Sequence, residues 1–312
     1  MKEKIINVLK SPVLYFTIGV FVLWYVLPII PIDFCLKNQK TAPIILMILM
    51  GLSTILNMFM QFGLVFSLAK LNLNYKKQIG IFIISLLALC LCIVWIEHYL
   101  MIHKPQVFPK DTTYFTHLLA IGKNIGSRLI SALPQRGFIN YFIITLCFSF
   151  GSLLSFIVKE KNLLVPVMIC CAFIDIWTCT VGFVSKALAK APEIVGGVST
   201  GVAMVGGKHH GLPNLATIGP GDFIFASLVF AITHRLGLQS KRTFWVMFGL
   251  LTVGMLLIVF QVLPFLPALV CVATGTIIAN FKEFHLNKQE IISCFVVFFV
   301  LTAILVGFKL LK

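Results

Sequence analysis

Apolar runs of about 20 residues, each long enough to cross the ~30 Å hydrocarbon core of a bilayer, recur along this chain. Nine can be read, at about 12–32, 43–69, 79–102, 138–158, 162–188, 221–238, 243–263, 264–281 and 290–310. Lipid offers backbone amides no partner, so each run must satisfy its own hydrogen bonds, as a helix does. The pattern predicts an all-α polytopic transmembrane bundle of about nine spans, in an integral, multi-pass membrane protein. Lys2, Lys4 and Lys10 precede the first run, as in a signal peptide. That run is too long for an h-region and has no small-x-small cleavage site. It reads as a retained span, closed by Pro28 and Pro31.

Composition excludes other classes. Of 312 residues, 59% are hydrophobic and only 11% charged, and no stretch is long and polar enough for a separate soluble domain. The net charge of +15 is spread over the connections. It reads as membrane-flanking charge in contact with anionic headgroups. No basic helix or folded module suggests nucleic acid as a partner. Alternate loops carry similar Lys and Arg counts, so the positive-inside rule sets no orientation.

The chain divides into three parts. Residues 1–158 form an N-terminal four-span bundle. Within it, segment 105–137 repeats apolar residues at helical spacing, with Lys123 and Arg128 elsewhere on the wheel. It reads as an interfacial amphipathic helix. In span two, Asn57 and Gln61 form an i, i+4 pair suited to joining helices. Residues 159–281 hold the unusual polar groups, and 282–312 add one more span. Most of the nine cysteines lie in apolar runs without a CxxC pair, and read as packed thiols.

Of the ten acidic residues, eight fall in loops, at termini or near span ends. Asp175 lies inside the run 163–188. An ionised Asp at the bilayer centre costs roughly 2.5–3.5 kcal/mol on translocon scales, which makes it a candidate for chemistry. Its other reading is a structural contact between helices. Cys171 and Cys179 flank it at i−4 and i+4, on one face. Asp222 closes Gly219-Pro220-Gly221-Asp222, just before Phe223-Ile224-Phe225-Ala226. Alone it reads as a helix N-cap. Pro267-Ala268-Leu269 alone reads as a helix start, although Pro264 and Pro267 together break the helix between spans seven and eight. Broken backbone at membrane depth is tolerated where it is buried or lines a wet cavity. The loop 189–218 is too rich in Gly and polar residues to span. Its Lys208-His209-His210 reads as solvated loop, with metal binding as the alternative. The β-branched content of 193–205 is strand-like.

Taken together, Asp175, Gly219-Pro220-Gly221-Asp222 and Pro267-Ala268-Leu269, in that order on helices five, six and eight, resemble the GxGD intramembrane aspartyl proteases, the presenilin and signal peptide peptidase family. The resemblance covers about residues 162–281. It departs from the family pattern at Ile174, where Tyr is usual, and at Pro220. Four spans instead of five precede the first aspartate, and one further span follows the Pro-Ala-Leu helix. The resemblance implies a presenilin-like catalytic core and an intramembrane aspartyl endopeptidase. Asp175 and Asp222 would be catalytic, and Gly219, Gly221, Pro267, Ala268 and Leu269 would shape the active site. It implies no metal and no cofactor, and transmembrane helices or signal peptides as substrates. Two alternatives stay open. One is a non-catalytic relative that binds transmembrane helices. The other is a cation-coupled transporter, which would also use broken helices and intramembrane acids.

Overall fold

The computed structural model describes residues 11–26, 42–103, 133–180, 200–201, 217–260, 262–263 and 267–310. Among these residues the chain is helical apart from one minimal β pairing. The α-helices are α1 (Pro12–Val26), α2 (Ala42–Ala69), α3 (Tyr75–His103), α4 (Leu133–Ser155), α5 (Leu164–Thr180), α6 (Pro220–Arg235), α7 (Ser240–Val259), α8 (Ala268–Asn280) and α9 (Lys288–Leu310). A 3₁₀ turn, Phe281–Glu283, follows α8. The strands β1 (Thr200–Gly201) and β2 (Thr217–Ile218) pair antiparallel. Each helix falls on one of the nine apolar runs. Four contain stretches long and apolar enough to cross a membrane: Gly51–Ala69, Tyr75–Trp95, Gly137–Ser155 and Ser240–Val259.

Two expectations shift. The amphipathic segment read over 105–137 ends earlier, because 133–137 already belong to α4. The apolar run begins only at Phe138, but Leu133, Pro134 and Gln135 supply an acceptable first turn, where Pro is tolerated. The rest of that segment, together with Lys208-His209-His210 and Pro264, lies outside the described residues. Of the strand-like stretch 193–205, Thr200 and Gly201 are in β1.

The bundle is organised around α6, which packs against α2, α4, α7 and α8. Its residues Phe223, Ala226, Leu228, Val229, Phe230 and Ile232 are all buried. A helix that is apolar around its circumference belongs at the centre of a bundle. Phe223 meets Phe62 of α2 at 5.2 Å between ring centroids, and Phe230 meets Phe66 at 5.4 Å. Gly151 of α4 lets that helix press on α6. A Cβ there would overlap the Ile224 carbonyl oxygen and come within 2.8 Å of Ser227 Cβ. Gly275 of α8 does the same against α7, where an added Cβ would lie 3.0 Å from Met247 Cα. Small residues at such crossings are how lipid-soluble helices gain close van der Waals contact.

The ends of α6 are fixed by polar groups. Arg235 donates to the carbonyls of Ser155 and Val158 at the end of α4 and lies over the Phe156 ring at 5.1 Å. A cation is favourable against the exposed carbonyls of a helix C-terminus. The chain then turns through Gly237, whose φ of +66° suits glycine, and the Leu238 N–H reaches back to the Thr233 carbonyl at 2.9 Å. That six-to-one bond is the Schellman stop.

Asn57 and Gln61 are both buried, and Asn57 donates to the Ser53 carbonyl of its own helix at 2.8 Å. Asn280 is also buried. Its side chain donates to Thr243 Oγ1 (2.7 Å) and the Thr276 carbonyl (3.0 Å), and accepts from the Gln239 N–H (2.9 Å). It thereby joins the end of α8 to the start of α7. Asn280→Leu takes a partner from the buried Thr243 hydroxyl, at about 1–3 kcal/mol, and another from the Gln239 backbone amide. The thermal unfolding midpoint of the purified protein is expected to fall clearly. An unchanged midpoint would show that the network contributes nothing.

Candidate active site

Asp175 sits near the C-terminal end of α5, half-buried, while its neighbour Ile174 is 51% exposed on the outer face. The Asp175 carboxylate reaches α8. Its Oδ2 accepts a hydrogen bond from the Leu269 backbone N–H at 2.8 Å. The physical reason lies in how α8 begins. Pro267 is its N-cap and has no side-chain acceptor, so the first amides of the helix need partners from elsewhere. A carboxylate supplies one and also meets the positive end of the helix dipole. Residues 94 apart in sequence are joined in this way.

Asp222 lies in the first turn of α6, but not as its cap. Gly219 is the N-cap, Pro220 takes the first helical position, and Asp222 stands at N3. The Asp222 Oδ2 accepts from the Gly219 N–H at 3.1 Å, and the Asp222 N–H donates back to the Gly219 carbonyl at 3.1 Å. The N-cap reading of Asp222 is therefore corrected. Proline needs no N–H partner and has a preset φ, so it takes N1 and moves the aspartate one turn further in. Immediately before this turn, β2 pairs with β1 in the register Thr200↔Ile218 and Gly201↔Thr217.

The two aspartates come close enough for their charges to act on each other. The helix that begins with Ala268 and Leu269 packs against both α5 and α6. Asp175, Asp222 and Leu269 thus share one region, with Pro267 and Ala268 at the start of the same helix. Gly219 lies against the Asp222 carboxylate, its notional Cβ 3.4 Å from Oδ2. Among the described residues, nothing beyond its own helix backbone and chain neighbours lies within 4 Å of a notional Cβ at Gly221.

Cys171, expected on the face of Asp175, is buried; the Cys179 side chain lies outside the described residues. Two thiols that the sequence reading did not single out belong here. Cys271 of α8 feels the charge of both aspartates, and Cys147 of α4 that of Asp222. Cys271 was findable in principle, since it follows Leu269 by two residues and stays in the first turns of the same short helix. Cys147 carried no such signal, because which face of α4 meets α6 depends on Gly151.

Among the described residues, no group of three or more His, Cys, Asp or Glu is placed to hold a metal ion. A polar surface pocket of about 430 Å³ lies elsewhere, at the α4–α5 and α8–α9 connections, lined by Glu160, Lys161, Asn162, Lys282, Glu283 and His285. What the region around the aspartates can do chemically follows from its inventory: two carboxyl groups within electrostatic reach of each other, a helix N-terminus and thiols. Comparison with known proteins adds no relative, since no family model, no curated protein and no solved structure matches the chain.

Proposed function

We propose that the chain is an intramembrane aspartyl endopeptidase, a multi-pass integral membrane protein of about nine spans. It hydrolyses peptide bonds within transmembrane segments or signal peptides. Asp175 and Asp222 act as the dyad, and Pro267-Ala268-Leu269 holds it in place. The observation that carries the reading is the 2.8 Å bond from the Leu269 amide to Asp175, in a chain where Asp222 also lies within electrostatic reach of Asp175.

Two carboxyl groups held close cannot both ionise comfortably, so they share a proton. The ionised partner takes a proton from water, and the protonated partner hydrogen-bonds the scissile carbonyl. The water oxygen adds to the carbonyl carbon to give a gem-diol, which collapses with protonation of the departing amide nitrogen. No covalent enzyme adduct forms. The titration belongs to the pair. A substrate helix must unwind to expose its bond, and its freed amides need partners. The extended backbone of β2 just before Gly219, and of Pro267 before α8, is suited to strand addition.

The direct test is to incubate the purified protein, reconstituted in nanodiscs, with a single-span test substrate. Cleavage that a transition-state-analogue aspartyl protease inhibitor abolishes is expected. An intact substrate under all conditions would overturn the reading. A narrower test concerns the amide itself. Leu269→Pro removes the N–H that Asp175 accepts, at a position in the first helical turn where proline is tolerated. Leu269→Ala removes the side chain but keeps the amide. Activity should fall at least about tenfold further in Leu269→Pro than in Leu269→Ala, since a misplaced catalytic group costs about that much or more. Equal activities would mean that the bond does not position the aspartate.

A further inference from the structure

We propose that Cys170 of α5 and Cys294 of α9 form a thiol pair whose oxidation to a disulfide locks α9 onto the helix that carries Asp175. The placement rests on the register of the α5–α9 seam. At one end, Asn162, just ahead of α5, donates to the Glu290 carboxylate at 3.2 Å and to the His285 carbonyl at 2.9 Å, and accepts from the His285 N–H at 3.3 Å. Further along, the Phe173 ring meets the Phe298 ring edge-on, with centroids 5.2 Å apart. The two helices therefore run side by side in the same direction, with partners 123 to 128 positions apart in sequence. Residues between these contacts on the same faces must also oppose each other. Cys170 lies one turn before Phe173, and Cys294 one turn before Phe298, at the i, i+3 and i, i+4 spacings that share a helix face. The two thiols lie within electrostatic reach of one another. Both are free and half-buried.

The seam matters because it is the main contact of α9. That helix packs against α5, while Ile292, Phe295, Val296, Phe299 and Val300 on its other faces are exposed. A bond across the seam would add a covalent tie to a helix whose main contact among the described residues is with α5. In the oxidation, each thiol gives up one proton and one electron and the two sulfurs join. A quinone dissolved in the bilayer accepts both electrons and both protons and leaves as quinol. A disulfide needs Cα atoms roughly 4.4–6.8 Å apart, so bond formation also gauges how closely the two helices ride here.

The test uses the full chain in phosphatidylcholine nanodiscs, oxidised with a short-chain ubiquinone analogue. Remaining thiols are alkylated, and the digest is read by mass spectrometry without reduction. A peptide linked through Cys170 and Cys294 is expected, released by dithiothreitol, absent in Cys294→Ser and retained in Cys90→Ser. Oxidation should raise the unfolding midpoint of the wild-type chain by about 5 °C, since the link closes a long loop in the unfolded state. Cys294→Ser should show no such rise. Alkylation of both thiols after oxidation, or a link from Cys294 to any other cysteine or to a second copy, would overturn the proposal. Neither readout involves peptide cleavage, so the outcome is independent of the proposed protease activity.

Discussion

Asp175→Asn and Asp222→Asn are each expected to reduce cleavage of a single-span substrate by more than about 10³-fold, while the unfolding midpoint stays near that of the parent chain. General acid–base catalysis contributes typically 10²–10⁴-fold, and an amide can neither take a proton from water nor share one with its neighbour. The geometry explains why the fold should survive. Asn at 175 keeps an oxygen that can accept from the Leu269 amide, and Asn at 222 keeps one for the Gly219 amide, the bond that Oδ2 accepts at each position. Asp175→Ala is the informative companion. It removes the acceptor from the start of α8 and should lower stability by about 0.5–2 kcal/mol, as loss of a helix cap does. Activity assays and thermal unfolding on the same preparations separate the two effects. Persistent proteolysis in either Asn variant would remove that residue from the chemistry. A stability loss in Asp175→Asn as large as in Asp175→Ala would mean that the contact with α8 depends on charge.

Gly151→Leu is expected to show the opposite pattern, with folding and activity lost together. Even a Cβ at this position would overlap the Ile224 carbonyl oxygen, and Ser227 Cβ would be 2.8 Å away. Backbone cannot rotate aside as a side chain can, so α4 must move off α6. Overpacking a close-packed interior costs typically 1–3 kcal/mol, and here the obstacle is the central helix of the bundle. Ile224 lies two residues beyond Asp222, so the displacement reaches the first turn of α6 as well. Gly80→Ala is the matched control, because among the described residues nothing beyond its own helix backbone and chain neighbours lies within 4 Å of its notional Cβ. It should be neutral or slightly stabilising, since Ala is the better helix former. Yield of folded protein and the unfolding midpoint decide the matter. A Gly151→Leu chain as stable as its parent would show that α4 and α6 do not need this close approach.

The helices were legible because apolar run length is a direct consequence of what lipid can solvate, and every described helix lies on a run read from sequence. Their ends were less so. The run 264–281 gives a helix of only 13 residues, Ala268–Asn280, since Pro267 sets its start and the Asn280 network its end. Hydropathy registers neither. The meeting of Leu269 with Asp175 had no local signature at all. Each motif alone has an ordinary reading, and it took the order of all three, read as a family resemblance, to expect them together. The position of Asp222 was misread because Asp is a good N-cap. The competing preference of Pro220 for the first helical position decided it. The α5–α9 register is a property of two surfaces in contact, written in neither helix alone.

The shortness of α8 has one further consequence. Its 13 residues rise about 20 Å at ~1.5 Å each, roughly 10 Å less than a typical ~30 Å hydrocarbon core. Such a helix is mismatched to its solvent, and a bilayer answers mismatch by thinning locally or by letting tethered segments take up the slack. The end of α8 that meets Asp175 is its N-terminus, at the break made by Pro267. In a thicker membrane the lipid tails must compress further around this helix, and in a thinner one water stands nearer to the carboxylates. Under the proposed activity, acyl-chain length thereby becomes a control on how wet Asp175 and Asp222 are, set by the host membrane and not by any residue of the chain.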